Sequence, residues 1–559
     1  MSNDRSVKIV LLTKFTTAPF LFGILLLLGA STFYSFAVLR VDYSRTELLN
    51  LRPRPDATEY FAQAEAMLHG QSPSIQIGYE KLPSRYPLGY PVLMLPWLKI
   101  LPAEKAILAP FRTNQTIGLL FLLIVFGFYA YLAMPLTGGF AALLLATLPA
   151  FFTFCRSSMS DIGASLLIVL AFMFAYLGLN EERRWKIYLS VVFLGLSLNV
   201  RSQSIFFAPL LLAMALFPMR GMRWRWFLHC ATVPFVFVLA TVPMLVVNMI
   251  QFHSPFKTGY SFWVDAWLKN TVLFSLSYIP HNVTTLLKEL TLRPHGFNTL
   301  YIFGTGTSFV GAFLLLICAG FFFIRVDRFT ICACLAGLAF LAAPLSFIDT
   351  FVDTRYYLPL LLLLVSIAVL PVSWAINSLF SGKHIIAGLA IFVLFAAACL
   401  GYPSRSGYNT REIGRSQAWD AFHFTRPPRQ SEEFIAQRQF AEILGRQSGI
   451  VLSDIDPVYL NTLLPRSFVA APIDGKHNFI WSETWHYGRP QALALVERGL
   501  EQSLPVYALF ISQKEMTTQQ SRLPSVRGYE WHVLSDSRAK AAILTLAPVT
   551  SEEIALPPS

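Results

Sequence analysis

Long apolar runs recur along most of this chain, and they constrain its fold more than any other feature. Each run is roughly 20 residues long, the length that an α-helix needs to cross a hydrocarbon core about 30 Å thick. Charged residues make up only 14% of the 559 residues, whereas a typical soluble chain has about 25%. The sequence therefore predicts a multi-spanning α-helical membrane protein with about 11 spans. We place these spans near residues 17–39, 113–134, 139–155, 162–180, 187–200, 204–218, 227–248, 299–324, 329–348, 357–380 and 385–402.

Basic residues indicate which side of the membrane each loop faces. They precede the first span and then recur in the short loops after the fourth, sixth, eighth and tenth spans, a pattern that marks cytoplasmic loops. These residues are Arg5, Lys8, Lys14, the segments 181–186, 219–226 and 325–328, and Lys383. We therefore expect a cytoplasmic N-terminus, an extracytoplasmic C-terminal tail and an integral location in a bacterial inner membrane. Topology accounts for much of the net charge of +12, so we expect no nucleic-acid partner.

Three long segments are expected outside, at about 40–112, 249–298 and 403–559. We group the first, which contains helices expected on the membrane surface, with the spans in a transmembrane domain at 1–402. The tail alternates helix-like segments with the short apolar runs "GIVLSDI", "SFVAAPI", "VYALFIS" and "AAILTLAP", which is typical of an α/β domain. We place this domain at 429–559, after a linker at 403–428.

Two outward-facing acids begin predicted helices. Asp56, with Glu59 three residues later, has the spacing of a capping box, and Asp161 precedes the fourth span as an N-cap residue would. Capping alone explains both acids. However, an aspartate at a helix start on the outer side can also project its carboxylate towards a lipid headgroup, so both interpretations stay open. The candidate catalytic acids are Asp56, Asp161 and Glu59.

Cations and aromatic residues are predicted at the same outer boundary. Arg201 interrupts apolar sequence at an outward turn, where an ionisable group is costly unless it faces a polar interior or a ligand. Snorkelling to the interface is the alternative. Guanidinium and ammonium groups can hold a phosphate, and a carboxylate can take a proton from a hydroxyl. The residues predicted to bind a phosphate are Arg201, Arg355, Tyr356, Lys257, Arg85 and Tyr86.

Other patterns carry less information. Asp56, Glu59 and His253 could hold a divalent metal ion, but their spacing does not argue for it. "DID" at 454–456 resembles an Asp-x-Asp metal site, yet it ends a predicted strand in the outer domain. "GTGTSFVG" at 304–311 lacks the preceding strand that a dinucleotide site needs. The sequence thus leaves a divalent metal ion open and points to no other cofactor.

Several segments together resemble the GT-C superfamily of integral membrane glycosyltransferases, in the branch of protein O-mannosyltransferases and lipid A aminoarabinose transferases. They are "RPDATEYFAQAEAMLHGQ", "YPLGYPVLMLPWL", "SMSDIGASLLIVLAFMFAYLGL", "GLSLNVRSQSIFFAPLLL", "VNMIQFHSPFKTGY" and "TRYYLPLLLLL". The protein mannosyltransferases have adjacent acids where Ala57 follows Asp56. The aminoarabinose transferases favour a lysine where this chain has Arg85 and Tyr86. The subfamily therefore stays open.

The resemblance implies a GT-C fold and a donor sugar carried on a polyprenyl phosphate. It makes Asp56 the acid that activates or positions the acceptor, Asp161 a second acid near the same cavity, and Arg201 and Arg355 ligands of the donor phosphate. We expect transfer to a hydroxyl of a lipid, polysaccharide or protein on the extracytoplasmic face, with inversion. The alternative is a transporter or flippase of lipid-linked saccharides, which would need polar groups at the bilayer midplane and repeated halves.

Overall fold

The computed structural model describes most of the chain, and every structural statement below concerns the described residues. They are 18–40, 56–216, 223–263, 272–290, 307–324, 327–348, 354–380, 382, 384–400, 432–445, 447–474, 487–535 and 541–549. Arg5, Lys8, Lys14, Lys383 and the predicted linker at 403–428 lie outside them.

The chain divides into two compact units. The first comprises Met1–Asp42, Pro110–Met244 and Val272–Pro427. The second comprises Tyr43–Ala109, Leu245–Thr271 and Pro428–Ser559. The outer loop that the sequence analysis grouped with the spans thus belongs mostly to the same unit as the C-terminal tail.

The first half of the chain supplies the helices α1 to α10. Their bounds are α1 Ala18–Tyr34 (continued by a π-helical turn, Ser35–Leu39), α2 Asp56–Leu68, α3 Gly89–Ile100, α4 Ala109–Tyr131, α5 Pro135–Thr147, α6 Pro149–Cys155, α7 Asp161–Asn180, α8 Arg184–Val200, α9 Pro209–Leu216 and α10 Arg223–Phe252.

The second half supplies α11 to α21. Their bounds are α11 Gly259–Trp263, α12 Ile279–Leu290, α13 Thr307–Phe321, α14 Arg328–Ser346, α15 Leu358–Ala368, α16 Leu370–Phe380, α17 Ile385–Leu400, α18 Glu432–Leu444, α19 Pro457–Leu463, α20 Arg489–Glu501 and α21 Gln513–Gln519.

Six helical stretches are long and apolar enough to cross a membrane. They are Ala18–Leu39, Lys105–Tyr131, Asp161–Asn180, Trp226–Phe252, Phe329–Ser346 and Leu358–Ile376. Shorter apolar helices follow at Pro135–Thr147, Ser202–Leu211, Gly311–Phe321 and Ile385–Cys399. The prediction of a multi-spanning helical membrane protein is therefore confirmed, while the count of about 11 spans stays a prediction.

Three predicted spans are interrupted. The span at 139–155 is split between α5 and α6, because Leu148 is extended (φ −70°, ψ 118°) and the residue before a proline disfavours helical backbone. The span at 204–218 begins as a 3-10 helix, Ser202–Phe207, before α9. The span at 357–380 is divided at Val369. Proline follows each of these breaks within two residues.

Within the first unit, α1 and α5 pack backbone against backbone. A Cβ on Gly23 would lie 2.4 Å from the carbonyl oxygen of Pro135, and one on Gly139 would lie 2.7 Å from that of Gly23. Small residues of this kind let membrane helices approach closely. A buried cluster that includes Phe121, Phe151 and Leu358 forms much of the core beside them.

The second unit contains a five-stranded sheet. Its strands are β3 Gly449–Ser453, β4 Phe468–Pro472, β5 Val506–Phe510, β6 Tyr529–Val533 and β7 Ala542–Pro548. Their order is β4-β3-β5-β7-β6, parallel among the first three and antiparallel at β7 and β6.

Helices cover both faces of this sheet. Phe440 of α18 packs on the face that contains Val451, and Val496 of α20 packs on the face that contains Ile450. The predicted α/β tail is confirmed, and all four predicted strands form. The sequence analysis missed β6, a mostly exposed edge strand.

The outer loop contributes a hairpin and helix α2 to the second unit. The hairpin pairs β1 Ile75–Ile77 with β2 Glu80–Leu82, and its Gly78 amide donates to the Ala470 carbonyl at 2.8 Å. Helix α2 is buried on every side from Ala57 to Ala64. It therefore does not expose one polar side there, as a helix lying on a membrane surface would.

Candidate functional site

The first polar cluster lies in the second unit, at the start of α2. Asp56 is the first residue of this helix and is partly exposed. The hydroxyl of Tyr86 donates a hydrogen bond to Asp56 Oδ1. Burial and the neighbouring Asp56 charge raise the pKa of Tyr86 well above its usual value, so this phenol stays protonated and acts as the donor.

Glu59, one helical turn later, is completely buried. Its Oε1 accepts from Arg85 Nε at 2.8 Å and Arg85 Nη2 at 2.6 Å. Its Oε2 accepts from Ser84 Oγ at 2.7 Å and from the Arg85 backbone amide at 2.8 Å. Four hydrogen bonds of this kind hold the carboxylate as a structural partner of Arg85. Glu59 therefore does not close a capping box.

Burial and partners act in opposite directions on this pair. Desolvation raises the pKa of Glu59, while the Arg85 guanidinium and the Ser84 hydroxyl act to lower it. The Glu59 carboxylate in turn raises the pKa of Arg85 against the effect of burial. A buried ion pair of this geometry holds its two chain segments together.

The segment around Arg85 is fixed by further contacts. Ser84 Oγ accepts from Gln63 Nε2 at 2.9 Å, and the Pro83 carbonyl accepts from Trp263 Nε1 at 2.7 Å. Gly259 lies against the same segment, since a Cβ there would come within 2.1 Å of the Ser84 carbonyl oxygen. Glu59 and Gln63 are four residues apart, so both reach this segment from one side of α2.

Tyrosines frame the cluster. The ring of Tyr60 lies 4.9 Å from that of Tyr86 and 5.1 Å from that of Tyr90. Tyr260 meets Tyr86 edge-on at 5.7 Å, and the Arg85 guanidinium lies 5.5 Å from the Tyr86 ring centre. The sequence analysis missed Tyr60 and Tyr260, and for Tyr260 no local signal existed.

The second polar cluster lies in the first unit. Asp161, 1% exposed, begins α7, and its Oδ1 lies 2.5 Å from Arg201 Nη1. Arg201 follows α8 in extended conformation and donates from Nε to Gln203 Oε1 at 2.9 Å. Its guanidinium lies 5.7 Å from the Tyr356 ring centre. Asp161 is thus more than a helix cap, and Arg201 is ion-paired rather than snorkelling.

The remaining predicted site residues are placed differently. Arg355 lies next to Tyr356 in the 3-10 turn Thr354–Tyr357, and its side chain falls outside the described residues. Lys257 and His253 are exposed in the second unit. Within the described part of the chain, neither makes a hydrogen bond or an ion pair.

The suggested metal ligands do not form a metal site. Among residues that the structure describes, no three His, Cys, Asp or Glu side chains come together as ion ligands. Both oxygens of Glu59 are occupied by Arg85 and Ser84, so the set Asp56, Glu59 and His253 does not fit. In "DID", Asp456 caps α19 by accepting from the Val458 amide at 2.9 Å.

The fold is similar to that of a solved integral membrane transferase, and this similarity agrees with the predicted resemblance at the level of the fold. The chain is similar to ArnT from Cupriavidus metallidurans, a lipid A aminoarabinose transferase, in a crystal structure bound to undecaprenyl phosphate. The TM-score is 0.58 and the identity 12%, over 93% of this chain and 97% of that one. The apo structure of the same protein gives 0.57, with the same identity and coverage. No family model and no curated protein matches the sequence.

Proposed function

We propose that this chain transfers a sugar from a polyprenyl-phosphate-linked donor to an acceptor hydroxyl on the extracytoplasmic face of the membrane. The observation that carries the proposal is the fold shared over 93% of the chain with a transferase whose structure holds undecaprenyl phosphate. The membrane-spanning helices supply a hydrophobic setting for a lipid carrier. The two polar clusters supply groups of the kind that such a reaction needs.

Asp56 acts as the general base in this proposal. Its carboxylate takes the proton of the acceptor hydroxyl as that oxygen bonds to the anomeric carbon, and the bond from this carbon to the phosphate oxygen breaks. The polyprenyl phosphate leaves with the electron pair of that bond. Attack opposite the leaving phosphate inverts the anomeric carbon. Tyr86, which donates to Asp56, orients the carboxylate.

Arg201 binds the departing phosphate in this proposal, together with Arg355 and Tyr356. A phosphate leaving as an anion is stabilised by guanidinium groups, whose geometry matches its oxygens. The ion pair with Asp161 at 2.5 Å orients Arg201. We therefore treat Asp161 as a positioning residue for Arg201 rather than as a second base.

Glu59 and Arg85 hold the structure around the base. Their four hydrogen bonds fix the segment that carries Tyr86. Both are positioning residues in this proposal. Lys257, which is exposed, contacts the lipid phosphate at the membrane surface in this proposal.

Replacing Asp56 tests the proposal. Asp56→Asn keeps the shape of the side chain but removes the base, so we expect turnover of a polyprenyl-phosphate sugar to fall by about 10²–10⁴-fold. Product formation by purified protein is the measurement. The control is Asp327→Asn, since Asp327 caps α14 through the Thr330 amide at 2.7 Å and asparagine also caps helices. Unchanged turnover of folded Asp56→Asn would remove this residue from the mechanism.

A further inference from the structure

A cavity of about 1010 Å³ lies in the second unit. Its walls come from the later half of α2, from the end of α3 and the residues after it (98–108), and from parts of the C-terminal domain near 434–441 and 461–468. Small-molecule sites commonly have about 300–1,000 Å³, so this cavity can hold a ligand of several rings.

The cavity is separate from the Asp56 cluster. Phe61 is the lining residue nearest to Asp56 along α2, and it follows Asp56 by five positions, whereas the charged lining residue Glu65 follows by nine. At a rise of about 1.5 Å per residue, these residues lie about 7 Å and about 13 Å from Asp56 along the helix axis. Asp56 itself does not line the cavity.

Cations outnumber carboxylates among the described lining residues. Lys81, Lys105 and Arg466 face one carboxylate, that of Glu65. Arg466 Nη2 lies 3.5 Å from Glu65 Oε2 and donates to His69 Nδ1, and Glu65 also lies 3.8 Å from His69. The one negative charge is therefore already opposed, and the cavity favours an anion.

Lys105 and Lys81 differ in what already binds them. Within the described chain, the Lys105 side chain is exposed and its ammonium group makes no hydrogen bond or ion pair. Lys81 Nζ donates to Gln71 Oε1 at 3.0 Å, and both line the cavity. An incoming anionic group can therefore bind Lys105 without displacing a partner.

Aromatic rings and amides complete the lining. Phe61, Phe434 and Phe468 contribute rings, and Gln71 and Gln437 contribute amides. A sugar ring has C–H groups on its faces and hydroxyls at its edge. Rings and amides match that pattern, and the cations match an acidic substituent.

The wall formed by α3 has an apolar outer surface. Leu98 lines the cavity, whereas Val92 is 48% exposed and Ile100 70% exposed. Exposed apolar residues on one helix mark a membrane-contacting surface in a protein of this class. A lipid headgroup and a soluble polysaccharide are thus both sources for a ligand here.

We propose that this cavity is a binding site for an anionic saccharide, a sugar that carries carboxylate or phosphate groups. Lys105 and Arg466 bind the anionic groups of this sugar. Such a site would anchor a saccharide chain apart from Asp56. The proposal concerns binding alone and does not depend on the transfer reaction.

The test measures binding of labelled trigalacturonate, a three-sugar carboxylate, to purified full-length protein without any donor. Maltotriose is the neutral probe of equal length. We expect trigalacturonate to bind at least about tenfold more tightly, and Arg466→Gln and Lys105→Gln each to weaken it by about three- to tenfold. A galacturonosyl diacylglycerol in nanodiscs distinguishes the two sources of the ligand. If the natural ligand is a lipid headgroup, the protein should bind this lipid more tightly than free trigalacturonate; if it is a soluble chain, the protein should bind free trigalacturonate at least as tightly.

Arg438→Gln is the matched control. Arg438 is 59% exposed, as Arg466 is, and has one carboxylate partner, Glu442, but lies outside the cavity lining. We expect it to leave binding unchanged, and Asp56→Asn to do the same. Equal affinity for the two probes, no binding of either by folded protein, or equal weakening by Arg438→Gln would overturn the proposal.

Discussion

Two acids three residues apart on α2 have opposite surroundings. Asp56 is partly exposed and accepts from the Tyr86 hydroxyl, while Glu59 is fully buried and accepts four hydrogen bonds from Ser84 and Arg85. A carboxylate held in this way is unsuited to moving between protonation states. The more exposed acid is the better candidate for a base.

Glu59→Gln should destabilise the second unit. The substitution leaves the Arg85 guanidinium buried without its charge partner, a change that typically costs about 3–5 kcal/mol. The double variant Glu59→Gln/Arg85→Met removes both charges and should recover much of that loss. Thermal unfolding of the detergent-purified protein measures both. A single variant as stable as wild type would contradict the structural role.

Variants of Arg201 and Asp161 should distinguish a role in binding the donor from a role in folding. Arg201→Gln is expected to raise the KM for the lipid-linked donor because a phosphate ligand is lost. It should also lower the yield of folded protein, because the buried Asp161 loses its ion pair with Arg201. Adding Asp161→Asn should restore the yield but not the KM. If the double variant regained a normal KM, Arg201 would be a structural residue only.

Helix ends place the functional groups at the scale of the elements. Asp161 begins α7 and Arg201 follows the last residue of α8, so two apolar helices present opposite charges at their adjoining termini. In the second unit, Gly259 begins α11 and lets it approach the Ser84–Arg85 segment. The geometry of each cluster therefore depends on where elements begin and end.

Gly259→Ala should displace the segment that carries Arg85 and Tyr86. Its new methyl group would lie 2.1 Å from the Ser84 carbonyl oxygen and 2.3 Å from Arg85 Cα, and such overpacking typically costs about 1–3 kcal/mol. We expect a lower thermal midpoint and a lower turnover. Gly127→Ala is the control, since nothing lies within 4 Å of that position. Equal stability of the two variants would contradict this packing.

At the scale of the whole molecule, the second unit is assembled from three distant chain segments. One strand of its sheet is followed by an acid that is largely buried. Asp454 follows β3, and burial, with smaller contributions from Glu515 and Glu433, raises its pKa to about 7. This carboxyl binds its proton more tightly in the folded state than in the unfolded chain, where its pKa is about 3.8.

The stability of this unit should therefore fall as the pH rises. A carboxyl with a raised folded-state pKa contributes no penalty below about pH 4 and an increasing one up to about pH 7. At about 1.36 kcal/mol per pKa unit, the penalty reaches about 4 kcal/mol. Asp454→Asn should remove this penalty. The free energies of unfolding measured with urea at pH 5 and pH 8 should therefore differ less in this variant than in wild type. Asp327→Asn, tested alongside, should keep the wild-type difference.

Features with a local cause were predicted well from the sequence. The apolar runs became helices because hydrophobic length is a local property, and the four tail strands formed because their residues are mostly apolar. The breaks before Pro149 and near Val369 were missed because hydropathy does not weigh the missing amide of proline. The partnership of Glu59 with Arg85 was missed because a capping box has the same spacing.

The sequence by itself determined the membrane-spanning helical class, the α/β tail and the two acids that begin α2 and α7, since periodicity and helix-start chemistry act over a few residues. Only the tertiary structure decided that Glu59 forms an ion pair with Arg85 and that Asp161 forms one with Arg201. It also decided that the outer loop belongs to the same unit as the sheet. Those outcomes depend on contacts such as those of Glu59 with Arg85, 26 positions apart, and of Asn461 with Gln76, 385 positions apart. No short-range pattern specifies which distant segment will supply a partner.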